Sequence, residues 1–254
     1  MRVTFLGTGT SQGIPVIGSD HPVCKSSDPR DKRLRVSVMV EWDNFRYVID
    51  CGPDFRQQML REDVQAIDGV LLTHEHSDHT AGIDDIRPFY FRQGNTPFYA
   101  HKRVFQALHE RFAYIFATEN KYPGAPAIEE IEINKNDTFK LGGIEVTPVE
   151  VMHADLSVLG FRMGDFTYLT DVKTISDEEI KKIKGCKVLV VNALRYEPHV
   201  AHLNISEALA LIDKIKPQYT YFTHISHIMG FHAEVEPTLP ENVFLAYDGL
   251  KIEI

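Results

Sequence analysis

Apolar and polar residues alternate in three stretches of the first fifty residues: RVTFLG (2–7), RVSVMVEW (35–42) and FRYVID (45–50). A period of two puts every second side chain on one face of an extended chain, so these stretches read as strands. Asp43 and Asn44 between the last two mark a hairpin. The spacing turns helical in DFRQQMLREDV (54–64), and IDGVLLT (67–73) is apolar enough for a buried strand. DHTAGIDDIRPFYF (78–91) predicts a helical start broken near Pro88. KRVFQALHERFAYIF (102–116) predicts a helix, and ATENKYPGAPAIEE (117–130) a loop.

A second strand series follows in IEIN (131–134), DTFKLGGIEVTPVEV (137–151), SVLGFRMG (157–164), DFTYLTD (165–171), KVLVVNAL (187–194), YTYFTH (219–224) and VFLAYDGLKIEI (243–254). Between them, SDEEIKKIKG has a Ser cap and a Gly stop, and NISEALALIDKIKP is capped in the same style and ends at a Pro. Strand groups occupy both halves, with helices between them and no linker or low-complexity tract. The expectation is one α/β domain, residues 1–254, with two strand layers and outer helices.

Composition narrows the function. The 254 residues, 43% of them apolar, suffice for a large core, and a formal charge of −9 with no run of Lys and Arg argues against long nucleic acids as substrates. Cys24, Cys51 and Cys186 are too few and too far apart for a disulfide framework, which suits a reducing compartment. No apolar run is long enough to span a membrane, and the start MRVTFLGTGTSQG does not read as a signal peptide, so a soluble cytoplasmic protein is expected.

The candidate chemistry lies in LLTHEHSDHTAG. His74 and His76 alternate on one side of an extended segment just past a strand, and Asp78 and His79 leave the turn that follows. Imidazole and carboxylate in this density suit zinc and related divalent ions, and the number of ligands exceeds what one tetrahedral ion takes. Further donors stand at the ends of strand-like runs: His153, Asp171 and His224. The glycines of FLGTGTSQGIP have the spacing GxGxxxG with Pro15 following, which lacks the helix N-terminus of a dinucleotide site, so a tight turn is expected there.

HxHxDH, an isolated His, an Asp after a strand and a late His together resemble the metallo-β-lactamase superfamily. The phrases FLGTGTSQGIP, GIDDIRP, YLTDV and THISH are similar to its phosphoribosyl cyclic phosphate phosphodiesterase branch, near ribonuclease Z. The resemblance covers essentially the whole chain and implies a four-layer αββα sandwich of two mixed sheets with outer helices. It implies two divalent metal ions, zinc or manganese, with His74, His76 and His153 on one, Asp78, His79 and His224 on the other, and Asp171 bridging. Asp50 would support the metal loop. The implied activity is hydrolysis of a small phosphodiester, such as a cyclic ribose phosphate, by a metal-bridging hydroxide that Asp78 orients. His202 would protonate the leaving oxygen, with His199 its substitute.

The branch also carries a structural zinc on N-terminal cysteines. Here only Cys24 remains, so His21, Cys24 and His227, with Asp20, form a reduced candidate set. Arg33, Arg35 or Arg87 could contact phosphate. The loop 122–127, with Phe112, Tyr114 and Phe116, is either a lid or a homodimer contact. Rival readings are a ribonuclease Z-type RNA-processing nuclease, a thioester or lactone hydrolase, and a non-catalytic metal-binding protein.

Overall fold

The structure, a computed structural model, describes residues 1–254. Seven strands form the first sheet: β1 (Arg2–Gly7), β2 (Ser37–Trp42), β3 (Phe45–Ile49), β4 (Gly69–Leu71), β5 (Thr96–Ala100), β6 (Ile128–Glu132) and the last strand, β14 (Lys251–Glu253), in the order β14-β1-β2-β3-β4-β5-β6. The second holds β7 (Phe139–Leu141), β8 (Ile144–His153), β9 (Leu156–Met163), β10 (Phe166–Leu169), β11 (Val188–Asn192), β12 (Tyr219–Thr223) and β13 (Val243–Leu245), in the order β13-β12-β11-β10-β9-β8-β7. Both are mixed: β1, β2 and β3 pair antiparallel and β3 to β6 parallel, while β7 to β10 pair antiparallel and β10 to β13 parallel.

Alternation along the strands produces the layers. In β2, Val38 and Val40 join the core between the sheets, with Phe5, Ile49, Phe161, Tyr168 and Val190. Met39 points the other way, under the helices Phe55–Arg61, Arg87–Gln93 and Lys102–Arg111 through Phe55, Phe89 and Leu108. On the second sheet the outward residues Val151, Leu189 and Phe222 meet Ile183, Leu211 and Ile215 of the helices Asp177–Ile183 and Ile205–Ile215. The architecture is the expected αββα sandwich. No helix is long and apolar enough to cross a membrane.

Local signals fix the helix ends. Ser176 accepts the Glu179 N–H, and Asn204 and Glu207 form a reciprocal capping box. Two expectations are corrected and one strand is added. Pro88 opens the helix Arg87–Gln93, where its missing N–H would have no partner anyway. Thr96–Ala100, unassigned in the sequence, is an inner strand despite Pro97. VFLAYDGLKIEI divides into β13 and β14, one strand for each sheet.

Candidate metal centre

The strands deliver donor side chains to one end of the sandwich. β3 runs into Asp50, β4 into the loop carrying His74 to His79, β8 into His153, β10 into Asp171 and β12 into His224. Asp50, Asp171 and His224 have φ of 65°, 58° and 55°. Left-handed backbone in a residue other than glycine costs about 1–3 kcal/mol and persists where its surroundings enforce it. Gly52 is required by close approach, since a methyl there would run into the Asp78 carbonyl. Cys51 N–H donates to His79 O at 2.8 Å and Gly82 N–H to Cys51 O at 2.8 Å, binding the two loops together.

Three sets of donor atoms lie within 4.8 Å of one another: His74, His79 and Asp171; Asp78, His79 and His224; His153, Asp171 and His202. Asp171 carboxylate oxygens are 3.2 Å from His79 Nε2, 3.3 Å from His224 Nε2 and 3.9 Å from His153 Nε2. Asp78 Oδ2 is 3.3 Å from His79 Nε2 and 3.7 Å from His224 Nε2. His76 lies beside these sets, with Nδ1 2.9 Å from His74 Nε2 and its ring 5.3 Å from that of His153.

The donor set fits a divalent cation. His79 Nε2, His224 Nε2 and His202 Nδ1 are buried without a hydrogen-bond partner, although carboxylate oxygens lie 3.2–3.7 Å away. Two atoms each about 2.1 Å from a tetrahedral ion stand about 3.4 Å apart, so this is the spacing of donors that share a cation. Burial opposes ionisation of Asp78 and Asp171, yet His79 and His224 hold both far below the usual carboxylate range. Burial likewise opposes a charged His79, but Asp78, Asp50 and Asp171 hold its pKa well above the ordinary value. The centre demands positive charge.

The surroundings orient the donors. Asp50 accepts the Thr73 N–H at 2.9 Å, the Thr73 hydroxyl at 2.9 Å and His79 Nδ1 at 2.7 Å. His153 Nδ1 donates to Ala201 O at 2.8 Å. Asn192 locks the turn after Asp171 by accepting from Val172 N–H at 2.7 Å and donating to its carbonyl at 3.1 Å. Thr73 and Asn192 escaped the sequence reading, although a lone polar residue inside the apolar run KVLVVN was a signal. His202 lies among the donors, with Nδ1 3.6 Å from Asp171 Oδ1, and His199 stacks on it at 5.0 Å.

Other candidates fall elsewhere. The His21 and His227 rings meet edge to face at 5.0 Å, while Cys24 Sγ accepts the Val16 N–H at 3.5 Å, and the trio forms no converging three-donor set within 4.8 Å. Asp20 pairs with Lys25 at 2.7 Å. Arg33 cannot meet a substrate: it is buried and donates to Thr8 Oγ1 and the Ala246 carbonyl, with Nη2 3.1 Å from His232 Nδ1. Arg35 is engaged with Asp54 at 3.1 Å and Arg87 with Asp84 at 2.5 Å. Cys51 and Cys186 are buried core thiols, as expected.

Comparison with known proteins places this geometry. Residues 45–225 match the model of the beta-lactamase superfamily domain. An octanoyltransferase of Porphyromonas gingivalis is 39% identical over 253 residues, which is 99% of this chain, and the chain spans 51% of that relative's length. A diphosphatase from the PhnP family superposes with a TM-score of 0.92 at 39% identity, covering 100% of this chain and 97% of the other. Zinc-bound PqqB from Methylobacterium extorquens shares the fold, with a TM-score of 0.83 at 19% identity over 100% of both chains. By its fold, its family match and a 39% identical relative, the chain belongs to the beta-lactamase superfamily and has the metallo-β-lactamase fold.

Proposed function

We propose that this chain is a hydrolase that uses two divalent metal ions, zinc or manganese, to cleave a small phosphoric diester at a phosphorus bearing two substituents, in a phosphodiester or diphosphate linkage. The observation that carries the reading is the convergence of two carboxylates and several imidazoles, three with orphaned buried nitrogens, from loops of both sheets. His74, His76 and His153 would hold one ion, Asp78, His79 and His224 the other, and Asp171 both. Because these donors come from both halves, residues 1–254 act as one catalytic domain. The 39% identity to a PhnP-family diphosphatase supports the phosphorus centre.

When bound, the ions supply Lewis acidity and lower the pKa of water into the neutral range. The chain's own residues orient and move protons. Asp50 and Ala201 O fix the tautomers of His79 and His153, leaving each Nε2 free to face the centre. Asp78 is held ionised and can accept a proton hydrogen bond from the attacking water. Burial, then neighbouring His224, pushes His202 down to about 3, so its resting ring is neutral. An anionic phosphate beside it would favour the protonated ring, which then donates to the departing oxygen.

The octanoyltransferase relative favours a second reading, hydrolysis of an acyl thioester, since the same donors could serve at a carbonyl carbon. Roughly half of that protein lies outside the match, and its name describes the whole. A panel of phosphodiesters, cyclic nucleotides, diphosphates, thioesters and lactones on metal-loaded protein separates the two. Turnover of a phosphorus linkage that is lost in His76→Ala and Asp171→Ala is expected. Thioester turnover with every phosphorus substrate inert would overturn the proposal.

A further inference from the structure

Glu75 stands between His74 and His76, and one helix grips it twice. Arg103 and Arg111 both belong to Lys102–Arg111, which follows β5 and is seated in the outer core by Val104, Phe105 and Leu108. Arg111 donates through Nη2 to the Glu75 carbonyl and through Nη1 to Thr80 Oγ1 at 3.5 Å. Thr80 in turn donates to His76 O at 2.9 Å. Arg103 Nε lies 2.9 Å from Glu75 Oε1.

Arg103 also crosses to the second sheet. Its Nη2 donates to Ser157 O at 2.5 Å, and Ser157 pairs in register with Met152, the neighbour of His153. Ser157 Oγ continues the chain of bonds to Glu150 Oε1 at 2.9 Å. One guanidinium therefore touches the loop carrying His74 and His76 and the hairpin carrying His153. The Nη2 bond to Ser157 O and the ion pair of Nε with Glu75, which is a charge contact and not an aligned hydrogen bond, together hold those two segments at a set distance.

We propose that Arg103, assisted by Arg111, is a positioning residue that sets the spacing between the His74–His76 pair and His153, and with it the affinity of the metal position these three share. The proposal rests on the metal-centre reading above. A metal site tolerates errors of about 0.2 Å in ligand placement, and residues that orient ligands typically change affinity by about 10–100-fold. The pair is partly exposed, 36% at Arg103 and 19% at Glu75, and lies outside the apolar core beneath the helix, so its loss leaves that core intact. Metal affinity and fold stability should therefore separate.

The test is chelator competition for zinc and for manganese on wild type, Arg103→Ala, Arg103→Lys, Glu75→Gln and the Arg103→Ala/Glu75→Gln pair, with thermal unfolding of each metal-free form. Arg103→Ala should bind one of its two ions about 10–100-fold less tightly, with its metal-free midpoint within about 2 °C of wild type. Arg103→Lys should recover only part, because it replaces with one nitrogen the two separate nitrogens that face Glu75 and Ser157 O. The double variant should be less weakened than the two single losses multiplied together, since both break one link. Unchanged affinity in Arg103→Ala and Glu75→Gln beside a wild type that binds metal overturns this proposal alone, as does a loss matched by a comparable fall in metal-free stability. A wild-type chain that takes up no metal overturns the metal-centre reading and this proposal with it.

Discussion

Replacing Asp50 by Asn changes one oxygen to an amide nitrogen, in a residue wholly removed from solvent. Asp50 Oδ1 accepts the Thr73 N–H and Oδ2 accepts His79 Nδ1 at 2.7 Å. A carboxylate only accepts, so Nδ1 carries a proton, and Nε2, facing Asp78 and Asp171 at 3.3 and 3.2 Å, is the atom whose proton a cation would displace. Asn must keep its oxygen on the Thr73 N–H, which sets its NH2 group against Nδ1. The imidazole then shifts its proton to Nε2, the position a cation needs. Loss of a carboxylate behind a ligating histidine typically weakens metal binding about 10–100-fold, or about 1.4–2.7 kcal/mol. Chelator competition at pH 7 measures the affinity, and nitrogen NMR of the imidazoles reports the tautomer. Affinity within twofold of wild type, with the proton still on Nδ1, would refute the reasoning.

Three further outcomes are expected. His202→Ala should slow diesters with poor leaving groups far more than bis(p-nitrophenyl) phosphate, and equal losses on both would exclude proton donation. Burial pushes Asp248 up to about 6 against the hydrogen bonds from Leu34 N–H and Thr8, so the folded state keeps its proton after the unfolded chain has lost it. The stability of wild type relative to Asp248→Asn should therefore fall as pH rises from 4 to 7, by about 2.4 kcal/mol, in urea unfolding of metal-free protein; a flat or rising difference contradicts this. Phe161→Ala, in the core between the sheets, should cost about 3–5 kcal/mol in the same assay while metal stoichiometry persists, and a cost under about 1 kcal/mol would deny that this layer is tightly packed.

The parts of the molecule legible in the sequence are those where one local rule decides. Alternation marked most strands, Ser176 and Asn204 marked helix starts, and the donors from His74 to His224 stood beside strand ends that could be read. Thr96–Ala100 was hidden because Pro97 removes a ladder donor, yet parallel neighbours on both sides hold the strand. The division of the last twelve residues depends on which sheet each half reaches, and no periodicity encodes that. Arg33 resembled a phosphate ligand by charge type alone. Its partners Thr8, His232 and Ala246 come from remote parts of the chain.

The pairing of β1 with β14 has a consequence for linkage. Met1 N donates to Ile254 O at 2.9 Å, so the first and last residues are neighbours. β1 runs parallel to β3, whose far end delivers Asp50 to the candidate metal centre, so both termini lie at the pole opposite that centre. A protein module tethered at either end would hang clear of the candidate metal centre, and a circular permutant that joins residue 254 to residue 1 should close with a short linker and little distortion.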